Sequence, residues 1–126
     1  MVESDKTYYV KFGYLNDVWL FNMSSESFVE YWGSGKADQD ANFSEGYEHP
    51  GGIHRSCGPN RLLQNKIMIY GGQQWINGAK VFVNLLWSFD VATKQWSLMS
   101  GDEAGQGAAI YGEEDIADAA NTPASV

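Results

Sequence analysis

Two histidines and the only cysteine of the chain, His49, His54 and Cys57, fall close together, and they are the side chains best suited to hold a transition metal or to act as a nucleophile. A structural zinc site takes four such ligands, and neither a second cysteine nor a third histidine occurs anywhere in the sequence. The expectation is therefore no metal and no cofactor: His49 in a turn, His54 at the start of a strand, Cys57 packed inside. Asp38, Asp40 and Asn42 alternate as oxygen donors with a spacing that also occurs in calcium loops. Such a loop needs Gly at its sixth position and Glu at its twelfth, where this chain has Phe43 and His49, so a solvated acidic loop is expected instead. Asn22-Met23-Ser24 and Asn42-Phe43-Ser44 fit the glycan-acceptor pattern, which acts only in a secretory compartment. Residues 105–112 are glycine-rich but follow no suitable strand and open no convincing helix, so they do not make a phosphate loop. No nucleophile, base and acid stand in a recognisable order, and no catalytic residue is expected.

Eight Lys and Arg oppose sixteen Asp and Glu, a net charge of −8, which argues against a nucleic-acid partner because phosphate binding depends on clustered cations. Beyond Lys94 there are six acids and no Lys or Arg, and a solvated loop is the simplest reading of that stretch. No apolar run follows a basic start, so no signal peptide is visible. The longest apolar stretch, residues 81–87, is broken by Asn84 and is too short for a bilayer. A soluble chain is expected, with no compartment assigned.

Any chemistry at these positions depends on the elements that hold them. Fourteen Gly, five Trp, seven Tyr and six Phe in 126 residues favour short aromatic-rich strands joined by tight turns, with at most one or two helical turns in residues 113–120. The chain also repeats. Asn16, Trp19 and Phe21 align with Asn84, Trp87 and Phe89 at a shift of 68, and Phe28 with Trp96 and Gly33 with Gly101 at the same shift. His49-Pro50 corresponds to Thr122-Pro123, a shift of 73, so the second copy carries a longer loop. Upstream, Val10-Lys11-Phe12-Gly13 matches Met68-Ile69-Tyr70-Gly71. Alternation places Trp and Phe on one face of each first strand, a polar turn follows at Asn22 or Asp90, and the return strands run from Phe28 and Trp96. In the second copy, residues 52–57 and 66–70 add two strands, turned at Pro59-Asn60, giving a four-stranded meander.

This pattern resembles kelch repeats, of the galactose oxidase-like propeller superfamily. The resemblance rests on Gly71-Gly72 after Ile67-Met68-Ile69-Tyr70, then Trp87, Phe89-Asp90 and, five residues on, Trp96; in the first copy a lone Gly13, Asn22 and Phe28 replace the second glycine, Asp and Trp. It implies an all-β fold of antiparallel four-stranded blades, an incomplete β-propeller with one full and one partial blade. Residues 1–35 make the partial blade, 36–51 a connecting loop, 52–101 the complete blade, and 102–126 an acidic loop leading toward a third. In such a fold Gly71 and Gly72 permit close backbone approach, while Trp19, Phe21, Phe28, Trp87, Phe89 and Trp96 fill the space between blades. Copper and its cross-linked Cys–Tyr ligand, known in galactose oxidases, lack their ligand set here.

The implied function is a non-catalytic protein-interaction module, a segment of a larger propeller, with self-association through exposed blade faces as a further expectation. Gln73, Gln74, Trp75 and Asn77, in an expected surface loop after the double glycine, are the candidate contact residues. The alternative is carbohydrate binding, with exposed aromatic rings stacked on sugar faces.

Overall fold

The computed structural model describes residues 13–33, 35–54, 56, 64–105 and 107–125. Cys57, Pro59, Asn60 and the Val10-Lys11-Phe12 segment lie outside the described residues. Eight strands occur in chain order: β1 (Val18–Asn22), β2 (Ser27–Trp32), β3 (Ile53–His54), β4 (Lys66–Tyr70), β5 (Gln73–Ile76), β6 (Ala79–Phe82), β7 (Leu86–Asp90) and β8 (Gln95–Ser100). All pairings are antiparallel, and the strands form three sheets ordered β1-β2, β3-β5-β6 and β4-β7-β8. The described residues are all-β and contain no helix. Residues 113–120, where at most one or two helical turns were expected, form no helix but two separate turns, closed by Ile116 N–H donating to the Glu113 carbonyl and Asn121 N–H to the Asp118 carbonyl.

The β1-β2 and β7-β8 hairpins are built alike because the same residue types sit at the same points. Asn22 Oδ1 accepts from the N–H groups of Ser24 (2.9 Å) and Ser25 (3.2 Å), and Asp90 Oδ1 accepts from Ala92 (2.9 Å) and Thr93 (3.2 Å). A short polar side chain that bonds the backbone two residues on replaces a regular turn bond. Each turn then passes through the left-handed region, at Glu26 (φ 52°) and Lys94 (φ 58°). The ladders slip at the same place, between Val18 and Trp19 and between Leu86 and Trp87. Ahead of them, Asn16 Nδ2 donates to the Pro50 carbonyl (2.8 Å) and Asn84 Nδ2 to the Pro123 carbonyl (3.2 Å).

The core lies on one face of β4-β7-β8. Register puts Ile67 opposite Phe89 and Ile69 opposite Trp87, and β8 brings Trp96 opposite Phe89 and Leu98 opposite Trp87, so these six share that face. Trp87, Phe89 and Trp96 are buried together with Ile76, Val83 and Leu85. What covers them is the β1-β2 hairpin together with Ala41 and Phe43, the Phe43 ring stacked on Trp87 (5.9 Å, 21°). Val18, Tyr31 and Trp32 pack against this core, with Tyr31 edge-on to Phe89 (6.4 Å, 75°) and Trp32 edge-on to Trp96 (6.1 Å, 79°), geometries favoured by the ring quadrupole. The Tyr31 hydroxyl donates to the Val91 carbonyl at 2.7 Å, and Lys94 Nζ stands 4.3 Å from the Tyr31 ring centroid.

Two sequence expectations are corrected here. Ile53 and His54 do not join the β4 sheet; they pair with Gln74 and Gln73, and the described part of the 66–100 meander has three strands. The segment after Gly71-Gly72 is no loop but the β5-β6 hairpin, with Ile76 opposite Ala79 across a two-residue turn. Asn77 (φ 49°) and Gly78 (φ 78°) supply the paired positive φ angles that such a turn requires.

Candidate functional site

The β5-β6 hairpin leaves the chain between β4 and β7, at the point where the first copy has only Tyr14 and Leu15. Its geometry is fixed from both sides. Gly72 sits at φ 84°, and a Cβ there would stand 2.6 Å from the His54 carbonyl and 2.7 Å from Ser56 N, an approach only glycine permits. Facing it, residues 38–41 bind the hairpin edge: Trp75 Nε1 donates to Asp38 Oδ1 (2.6 Å), Ala41 N–H to the Trp75 carbonyl (2.9 Å), and Gly78 N–H to Asp40 Oδ1 (2.8 Å). Asp38 Oδ1 also accepts from Tyr14 N–H at 2.8 Å, and the Tyr14 hydroxyl donates to Gln73 Oε1 at 2.8 Å. Beside the turn lies a shallow groove of about 690 Å³ lined by residues 38–44, His49 and Asn77.

The four candidate contact residues therefore separate. Gln74 is fully buried, with neither side-chain atom bonded among the described residues, so it has no surface to offer a partner. Gln73 and Trp75 are half-buried and Asn77 is exposed at the turn. Trp75 is structurally employed after all, as the tie between hairpin and acidic loop. Lys80 Nζ stands 5.5 Å from its ring and 4.8 Å from that of Tyr14, occupying the neighbourhood a sugar face would need. Sequence reasoning passed over the dipeptide Asn77-Gly78, a strong short-range hairpin signal that marks this projection directly.

The alternating Asp38, Asp40 and Asn42 do not converge on one point: the two carboxylates hold Trp75, Tyr14 and Gly78, while Asn42 Oδ1 accepts from Ser44 N–H at 2.8 Å. His49 and His54 are likewise apart, His54 stacked on Tyr14 (5.0 Å, 13°) and His49 against Trp32 (5.5 Å). Among the described residues no group of three or more His, Cys, Asp or Glu is placed to hold a metal ion. Asn22 lies exposed in its turn, while Asn42 is half-buried in a bridge to His49. Burial raises the Tyr70 phenol above its ordinary value.

A second surface is defined by aromatic residues that the sequence assigned to inter-blade packing. Phe21 and Phe28 stand opposite one another on β1 and β2 with rings 4.9 Å apart, and Trp19 shares their face. Instead of filling an interior they face solvent: Trp19 is 54%, Phe21 44% and Phe28 68% exposed. The side chains 68 positions later are buried because β1-β2, with Ala41 and Phe43, lies on them; nothing described lies on the Trp19-Phe21-Phe28 face in turn.

No protein-family model matches the chain, and neither the curated proteins nor the solved structures include a significant match to it. Among the described residues no helix is long and apolar enough to cross a membrane.

Proposed function

We propose that the chain is a non-catalytic protein-interaction module of kelch type, a segment of a β-propeller made of two stacked blade units, β1-β2 and β4-β7-β8. Support for the stacked units comes from the recurrence of the same asparagine bonds, turns and ladder slips 68 residues apart, and from the way one unit lies on the other's aromatic face. The observation that carries the functional reading is the β5-β6 hairpin. It interrupts the second unit, is pinned by Asp38, Asp40 and Ala41, and presents Asn77 beside an open groove. A projection held rigidly on a β scaffold is the usual form of a recognition loop. Carbohydrate stacking is the weaker reading, because the Trp75 indole N–H is committed to Asp38 and Lys80 shares the ring's surroundings.

The test is photo-crosslinking in extract of the source cells, with a photoreactive amino acid placed at Asn77 or, as control, at Ser25 in the β1-β2 turn. A discrete adduct from position 77 alone, competed by unlabelled chain, is the expected result. Equal labelling from both positions would remove the hairpin as a recognition element, and glycan-array binding lost on Trp75→Phe would favour the sugar reading.

A further inference from the structure

We propose that the chain associates head to tail with a second copy of itself, the exposed aromatic face of β1-β2 in one copy receiving the outer face of β4-β7-β8 in the next. The inference rests on the reading of two stacked units and adds the partner. Within one chain, the inner face of β1-β2, carrying Val18 and Tyr31, lies on the face of Trp87, Phe89 and Trp96. Sixty-eight residues beyond Val18 and Tyr31 stand Leu86 and Met99; sixty-eight before Trp87, Phe89 and Trp96 stand Trp19, Phe21 and Phe28. Alternation along the strands and their register keep these equivalences face for face: Leu86 and Met99 lie on the side of β7-β8 away from Trp87 and Phe89, joined by Met68 and Tyr70 of β4. Among the described residues each chain thus holds one completed contact and two uncompleted halves, one of each kind.

Both halves expose apolar side chains, although the outer face of β4-β7-β8 also carries Ser88, Ser97 and Ser100, with Ser88 buried and the Tyr70 hydroxyl donating to the Ala124 carbonyl. The aromatic half exposes Trp19, Phe21 and Phe28, and the other exposes Met99 (55%) beside half-buried Met68, Tyr70 and Leu86. Leu86 and Met99 stand where the internal face has Val18 and Tyr31, whereas Ser88, Ser97 and Ser100 stand where it has Leu20, Val29 and Trp32, so the match is centred on Leu86 and Met99; neither half is the mate of itself, so the contact is heterologous. Heterologous contacts close into rings or grow into filaments. Two units per chain and the about four to eight blades of propellers give a ring of about two to four copies. The internal contact also has a hydroxyl bond to Val91 and a lysine over the Tyr31 ring. The equivalent positions between copies carry Met99 and Glu26, which supply neither, so association rests on apolar area and depends on concentration.

The test is light scattering of the full 126-residue chain over a concentration series, with Phe28→Glu and Met99→Glu alone and mixed. Expected is a wild-type mass rising from 14.0 kDa to a discrete multiple, monomeric single variants, and an equimolar mixture that forms a one-to-one dimer and nothing larger. That complementation follows because each variant keeps the half the other has lost. The milder Phe28→Ser and Met99→Ser repeat the test if a glutamate lowers the denaturation midpoint. A wild type that stays monomeric throughout, a mixture that fails to pair, or a Met99→Glu chain that still dimerises through its aromatic face would overturn the proposal. A monomer in which Tyr31 and Phe89 remain energetically coupled loses only the association; loss of that coupling removes the two-unit reading beneath it.

Discussion

Phe28 and Trp96 occupy equivalent positions in two hairpins of the same build, yet Phe28 is 68% exposed and Trp96 8%, so truncating each to alanine separates the covered face from the open one. Trp96 touches three aromatic neighbours, Phe89 at 5.0 Å, Trp32 at 6.1 Å and Trp87 at 6.4 Å between ring centroids. Removing a buried ring of this size costs about 3–5 kcal/mol, transfer and cavity terms together. That is a large share of the roughly 5–15 kcal/mol that holds a domain folded. Full burial of a phenylalanine is worth about 1.5–3 kcal/mol. With two-thirds of Phe28 already in water and one ring partner, Phe21, the cost of Phe28→Ala is about 1 kcal/mol. The assay is urea unfolding followed by tryptophan fluorescence and far-ultraviolet dichroism, on samples dilute enough to be monomeric. Equal losses from the two variants, or a Trp96→Ala chain as stable as wild type, would refute the assignment of these faces.

Three further outcomes are expected. Gly72→Ala meets backbone atoms at 2.6 and 2.7 Å as well as a positive φ, whereas Gly78→Ala (φ 78°) has open space around its Cβ; chemical denaturation should show about 1 kcal/mol lost at Gly78 and clearly more at Gly72. Asp38→Ala removes the acceptor for Tyr14 N–H and Trp75 Nε1, for a loss of about 1.5–3 kcal/mol measured the same way, with Asp38→Asn retaining part of it. Because burial holds the Tyr70 phenol above its usual value, the unfolded chain ionises first; the stability this group contributes is intact below about pH 10 and declines as pH rises through the folded value. Phenolate absorbance should lose its late-titrating component in Tyr70→Phe.

The strands of both hairpins were legible in the sequence because period-two alternation and a turn-forming Asn or Asp mark their limits. Burial was not legible. Trp19 and Trp87 have nearly the same local sequence, and which of them is covered depends on what packs above, a tertiary fact that alternation does not encode. The β5-β6 hairpin was not legible from Trp75; its signal is Asn77-Gly78, whose backbone angles decide the turn. Gln74 was a candidate contact because the segment after Gly71-Gly72 read as a surface loop, but that segment is β5, and alternation along it puts Gln74 and Ile76 on its buried face. The spacing of Asp38, Asp40 and Asn42 pointed to oxygen ligands for a cation, and they are hydrogen-bond acceptors instead: Asp38 and Asp40 for Trp75 Nε1 and Gly78 N–H of the β5-β6 hairpin, Asp38 also for Tyr14 N–H, and Asn42 for Ser44 N–H two residues on.

The central claim is that one unit lies face to face on the other, and the most direct test is a double-mutant cycle across that contact, Tyr31→Ala against Phe89→Ala, read from unfolding free energies of the monomer. Edge-on rings at 6.4 Å should give a coupling of about 0.5–1.5 kcal/mol. Losses that simply add, within about 0.3 kcal/mol, would contradict the stacked arrangement and with it the reading of two blade units.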